Sequence, residues 1–286
     1  MLATDDFKTA AFEFVQSLAA DLSSTDLELP GFPDVVMQLH QALGDENCAV
    51  RDLVKLINSE PVLAARLIQL ANSAAFSREG AEASDLQAAV RLLGFNVVRS
   101  TATSFAMQQM QQQEWLAPVK PVLKRIWRRS NAVAAICYTL AKHVDGVKPD
   151  EALVAGLFHQ LGNLYLLTRA HQDGLPIASN PDWEDVANAW HPTIARAIVE
   201  NWGMAQHVGE AMEYQDAFLE EDTRDLSLHT RLLSAAKLYD EMCNEANGDE
   251  ADIERILTDV MLSGKPFLDL VADCQEEIES MGNTIT

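Results

Sequence analysis

A chain of 286 residues, 48% hydrophobic and 22% charged, can bury a sizeable core without disulfides or a structural metal, and two helical lobes are expected. Its formal charge of −22 opposes binding to a phosphate backbone or an anionic membrane, which argues against nucleic-acid and membrane partners. No run approaches the roughly 20 apolar residues of a membrane span, and the acidic opening MLATDDFKTAAFEF lacks the cationic start of a secretory signal, so a cytoplasmic location is expected.

Apolar residues recur three or four apart along most of the chain and alternating β-type runs are absent, so the expected class is all-α. Phe7, Ala11, Phe14, Leu18 and Leu22 form one stripe on a first helix within a segment 1–25, which LELPGFP (27–33) terminates with two prolines and a glycine. A first helical lobe is expected over 26–117. Within it, Asp34 is a candidate N-cap, a helix is read over 49–58, and Pro61 suits the first turn of the next. Ser84 and Gln87 have the spacing of a capping box, and Gly94 suits a C′ stop. The weakly amphipathic run after Asn96 turns glutamine-rich, and Pro118 and Pro121 bracket a break that is read as the lobe boundary. The second lobe, 118–286, is expected to hold helices over 121–143, 149–168, 182–202 with an interruption at His191-Pro192, 205–218, 226–246, 252–262 and 266–281. Its end is acidic: from Phe218 to Thr286, 17 Asp or Glu oppose 5 Lys or Arg.

Cys48, Cys137, Cys243 and Cys274 show no CxxC pairing and read as reduced core thiols. The chain has no H-E-x-x-H, no phosphate-binding glycine loop and no G-x-S-x-G, so the zinc protease, nucleotide-binding and serine hydrolase readings lose their usual support. Of the seven histidines, only His159 and His191 lie in patterned runs; His40, His143, His171, His207 and His229 are expected to cap, pack or face solvent.

LPGFPDVVMQLHQAL, INSEPVLAARLIQLANSAAF and LQAAVRLLGF carry a Leu-Pro-x-x-Pro entry, an acidic-Pro turn, a Leu-x-x-Ala-Asn-Ser helix end and a Leu-Leu-Gly stop. On Leu29, Pro30, Pro33, Pro61, Leu70, Ala71, Asn72, Ser73, Phe76, Leu93 and Gly94 the chain resembles the bacterial HDOD domain, with Glu60 where Asp is more usual. The resemblance spans roughly residues 26–240 and implies an all-α fold whose second half is similar to the HD phosphohydrolase superfamily. Active members of that superfamily hold metal with a His, a consecutive His-Asp pair and a later Asp. The resemblance places Arg129 at the first His, keeps His159, puts Gln160 at the paired Asp with Asn163 following where Lys is common, and puts Lys237 at the final Asp. His191 and Trp202 fall on a superfamily His and Trp-Gly, while Gln215 and Asp216 stand where active relatives carry His-His.

A divalent hydrolytic centre needs anionic oxygens to draw the metal from water and acidify its bound water. Two fixed cations would each repel the metal instead, by roughly 4 kcal/mol per unit charge pair at about 4 Å. The site Arg129, His159, Gln160, Lys237 is therefore expected to be vestigial, with no catalytic residue, metal or cofactor. His191, Gln215 and Asp216 would form a candidate pocket beside it. Arg129 shares a helical stripe with Ile126, Val133, Ile136, Cys137 and Leu140, so it should point at least partly inward and contact an acid or a carbonyl cluster, Asp216 first; the alternative is that it snorkels outward beside Lys124, Arg125 and Arg128. Gln215 shares a face with Val208, Met212 and Leu219 and should look into the core. KPVLKRIWRR (120–129) concentrates cations in an acidic chain, and the acidic C-terminal helices are its expected complement, with a phosphorylated or acidic ligand, or no partner, as the alternatives.

The function implied by the resemblance is a non-catalytic regulatory module of bacterial signal transduction, binding a protein partner or a small signalling ligand. The alternative is a metal-dependent phosphohydrolase drawing its ligands from His159, His191, Asp216 and neighbouring carboxylates. A helical scaffold that pairs with itself is a third reading.

Overall fold

The computed structural model describes residues 13–14, 16–18, 29–45, 47–77, 82–175, 183–219, 226–244 and 250–285. These hold thirteen α-helices and one two-stranded hairpin, which bears out the all-α expectation. Of the N-terminal stripe, Phe14 and Leu18 are buried; Phe7, Ala11 and Leu22 lie outside the described residues.

The first helices are α1 (Asp34–Gly44), α2 (Val50–Ile57), α3 (Pro61–Ala71) and α4 (Leu86–Met110). Pro33, not Asp34, occupies the N-cap of α1, and Asp34 becomes a first-turn acid that favours the helix dipole. Pro61 starts α3, where its missing N–H costs nothing. Asn72, just past α3, clasps the chain before α4: its amide donates to the Ala83 carbonyl at 3.0 Å and accepts from the Ala83 N–H at 2.8 Å. A side chain that both donates and accepts is needed there, which gives the Ala-Asn-Ser run its local reason. The N-cap of α4 is Asp85, whose carboxylate accepts from the Ala88 N–H at 2.8 Å, so the Ser84–Gln87 box is not used. Gly94 does leave helical geometry, at φ +76°, but the helix resumes at once. Its second half is buried nearly all round, including Arg99, Ser100, Thr101, Thr103 and Ser104, which is why it looked only weakly amphipathic.

A 3₁₀ segment, Glu114–Val119, containing Pro118, leads into α5 (Lys120–Ala141). Next come α6 (Pro149–Phe158), α7 (Leu161–Gln172), α8 (Trp183–Asn201), α9 (Gln206–Glu213) and α10 (Leu228–Asn244). The expected helix over 149–168 is thus two, broken at His159-Gln160. Conversely, α8 runs through His191-Pro192 although Pro192 forfeits one backbone bond. The chain ends in α11 (Glu250–Thr258), a hairpin of β1 (Met261–Leu262) and β2 (Lys265–Pro266), α12 (Phe267–Asp273) and α13 (Gln275–Ile285), so the helix read over 266–281 also divides, at Cys274.

Two glycines let the helices around the later site close up. A Cβ on Gly156 would stand 2.5 Å from the Ala134 Cα, and one on Gly162 would stand 1.9 Å from the His191 carbonyl oxygen. Hence α6 lies against α5, and α7 against α8, at backbone distance. Helices α1, α4 and α8 meet at a buried cation: Arg99 donates to the Trp202 carbonyl at 2.6 Å and the Leu43 carbonyl at 2.9 Å. Buried His40 stacks on Trp202 with centroids 3.7 Å apart.

Candidate functional site

The corner between α6 and α7 presents His159 and Gln160, both buried. His159 Nδ1 lies 2.7 Å from the Gly156 carbonyl oxygen; a carbonyl only accepts, so Nδ1 carries the proton and Nε2 the lone pair. That Nε2 is buried and has no hydrogen-bond partner among the described residues. Burial holds the imidazole well below its usual pKa, and the nearby Lys237, Arg129 and His191 push in the same direction. Gln160 accepts from the Asn163 amide at 2.7 Å, a neutral pair at the start of α7.

His191, on α8, is 3% exposed and is pushed down to about 3, by burial first and then by Lys237, with Asp216 opposing. Its Nε2 stands 3.9 Å from Asp216 Oδ2, a Coulombic contact too long for a hydrogen bond. Asp216 instead pairs with the Lys237 ammonium arriving from α10. Lys237 is buried, whereas the Asp216 side chain is 41% exposed. The structure therefore gathers His159, His191, Asp216 and Lys237, with Arg129 close enough to act on both imidazoles.

Arg129 points inward, but to a different acid from the one expected. Its Nε lies 3.3 Å from Asp240 Oδ2 and its Nη2 2.7 Å from Glu241 Oε1, both on α10. Asp216 is already taken by Lys237, one turn earlier on α10 than those acids. Asp240 is 3% exposed, and burial raises its carboxyl even against the pull of Arg129. Within KPVLKRIWRR, Arg129 thus meets the acidic C-terminal region as expected, while Arg125 approaches Glu184 of α8 at 3.9 Å. Gln215 is buried in the turn after α9; its amide nitrogen donates to the Met212 carbonyl at 2.8 Å and its Oε1 is unpaired among the described residues.

A second cluster was missed from sequence. Glu151, His207 and His229 come from the first turns of α6, α9 and α10 and place one ligand-type atom each within 4.8 Å of the others. Their spacings of 56 and 22 residues match no motif, and only the packing of three helix starts brings them together. Elsewhere, a groove of about 550 Å³ is lined by Leu29, Phe32, Met37, Trp115 and Arg169 among others, and it shares no residue with the His159 cluster. Trp115 is 40% exposed and stacks on His171 with ring centroids 5.9 Å apart.

Over 97% of this chain and 100% of the other, the fold matches a Shewanella amazonensis SB2B protein provisionally named a metal-dependent phosphohydrolase, at 24% identity and TM-score 0.69. It also matches an HDOD domain protein of unknown function from Geobacter sulfurreducens, at 18% identity and TM-score 0.58, over 99% of each chain. A provisionally named signal transduction protein from Marinobacter aquaeolei VT8 matches at 19% identity and TM-score 0.54, over 96% of this chain and 66% of that one. An uncharacterized protein of Treponema pallidum is 22% identical over 210 residues; the match spans 67% of this chain but only 38% of the length of that relative. The family model of the HDOD domain matches residues 29–218, which covers the Ala-Asn-Ser clasp, the His159 corner, His191 and Asp216, and the chain belongs to the HDOD domain family.

Proposed function

We propose that this protein is a non-catalytic regulatory module that acts by binding a protein partner or a small ligand in signal transduction. The observation that carries the reading is the charge inventory around His159. The ammonium of Lys237 and the guanidinium of Arg129 stand beside two neutral imidazoles, and among the described residues the acids that meet those cations, Asp216, Asp240 and Glu241, are already committed to them. A divalent ion there would have to displace both cations from their carboxylates and reside beside them in a largely buried space, where each repulsion is several kcal/mol. The residues present do not fit the metal centre of an HD phosphohydrolase. Signalling as the setting is supported by family membership and by the name of the Marinobacter relative.

A second reading, a phosphohydrolase with an atypical ligand set, draws support from one feature: the lone pair of His159 Nε2 and the proximity of His191 to Asp216. Turnover of a bis-phosphate ester with added manganese separates the two. The proposed module is inert with wild-type protein and with His159→Ala alike. Turnover that disappears in His159→Ala, with retention in Glu151→Gln, overturns it. Affinity capture from bacterial cytoplasm, repeated with Trp115→Ala, then identifies the bound partner and whether the Trp115 groove contributes to it.

A further inference from the structure

We propose that Glu151, His207 and His229 form a binding site for one divalent transition-metal cation of the zinc class, separate from the His159 cluster and independent of the reading above. His207 Nε2 lies 2.9 Å and His229 Nε2 3.5 Å from the same carboxylate oxygen, Glu151 Oε2. Ligands held about 2.0–2.1 Å from a tetrahedral ion stand roughly 3.3 Å apart, so the two measured separations bracket the edge that such an ion requires. The imidazole rings stand with centroids 4.3 Å apart at 42°, and both Nε2 atoms converge on Glu151 Oε2, to which His207 Nε2–H donates at 2.9 Å; a bound cation would take the place of that proton.

The donor types suit borderline-soft ions and not magnesium or calcium, which take oxygen shells. Two imidazoles and one carboxylate leave a fourth position for water. Glu151 Oε1 is engaged by Lys148 at 2.9 Å, which orients the carboxylate and leaves Oε2 to the ion. His229 Nε2 is buried and makes no well-formed hydrogen bond among the described residues, its one charged neighbour there being Glu151 Oε2 at 3.5 Å. The His229 and Glu151 side chains are 14% and 12% exposed, while His207 at 33% supplies the route of entry. The starts of three helices oppose a cation with their partial positive charge, and Lys148 adds to this; the Glu151 carboxylate and the overall charge of −22 offset them.

The site would act as a staple. The far end of α6 leads into His159, α9 leads into Gln215 and Asp216, and α10 carries Lys237, so the ion would fix the three elements that shape the other cluster.

The test is titration of metal-stripped full-length protein with Co²⁺ and Zn²⁺. One Co²⁺ per chain is expected, with the visible absorption of a tetrahedral centre that Zn²⁺ abolishes by displacement. At a hundredfold excess over Kd, Zn²⁺ should raise Tm by roughly 5 °C. His229→Gln and the more exposed His207→Gln should each weaken binding by at least tenfold, while His159→Gln leaves it unchanged. Absence of stoichiometric binding, binding that survives His207→Gln in a folded variant, or binding lost only in His159→Gln overturns the proposal. Because no phosphoester turnover enters these readouts, failure here leaves the regulatory reading untouched.

Discussion

Moving from pH 7.5 to pH 5.5 should cost this protein about 4 kcal/mol of stability, and the source is three buried histidines. Burial lowers His40, His159 and His191 below their ordinary values, aided by Arg99 at His40 and by Lys237 and Arg129 at the other two. Each folded-state pKa is therefore below the unfolded value near 6.5. The stabilising difference is present in full above 6.5 and is lost as pH falls, because the unfolded chain takes up protons that the native state refuses. A fully refused proton contributes about 1.4 kcal/mol over those two pH units, and three contribute about 4 kcal/mol. His229 is also lowered, by burial and then by His207, and adds a smaller share because Glu151 pulls the other way. Asp240, raised by burial, opposes the loss, but only as pH enters the carboxylate range. Urea unfolding followed by circular dichroism at both pH values measures the difference. His191→Gln should reduce it by about one third, whatever that substitution does to stability at pH 7.5. A loss under about 1 kcal/mol, or one equally large in the His40, His159 and His191 variants, refutes the assignment.

The Lys237–Asp216 pair should respond asymmetrically: Asp216→Asn strands a buried ammonium and is expected to cost roughly 3 kcal/mol, whereas Lys237→Met leaves a carboxylate that is 41% exposed and should cost under about 1 kcal/mol by the same urea measurement. Gly162→Ala should destabilise by about 3 kcal/mol or more, since its methyl group meets the His191 carbonyl at 1.9 Å and either α7 or α8 must shift; an unchanged Tm contradicts that packing. Arg99→Met removes two charge-assisted bonds to the Leu43 and Trp202 carbonyls and is expected to lower stability by about 3 kcal/mol, with amide exchange quickening first at the C-terminal ends of α1 and α8.

Much of this architecture was legible before folding was considered, because its signals are local. The helical periods, the proline that opens α3 and the motif around Asn72 depend on residues a few positions apart. Local reading failed where several groups compete for one role. Asp85 sits beside Ser84 and caps α4 more directly, and the expected continuous helix over 149–168 breaks at His159-Gln160, where α7 turns onto α8 at Gly162. The partner of Arg129 was wrong for the same kind of reason: sequence can show that a guanidinium on an apolar stripe needs an acid, but not that Lys237 already occupies Asp216.

The sequence by itself determined the helical class and the HDOD motifs, and its resemblance to that family raised the expectation that Arg129, Gln160 and Lys237 stand at superfamily metal positions. Only the tertiary structure decided which charges neutralise which, and it alone drew Glu151, His207 and His229 together from three helix starts. Periodicity and charge type are written along the chain, whereas ion pairing and ligand convergence depend on distances of a few ångströms between segments far apart in sequence, and only packing fixes those.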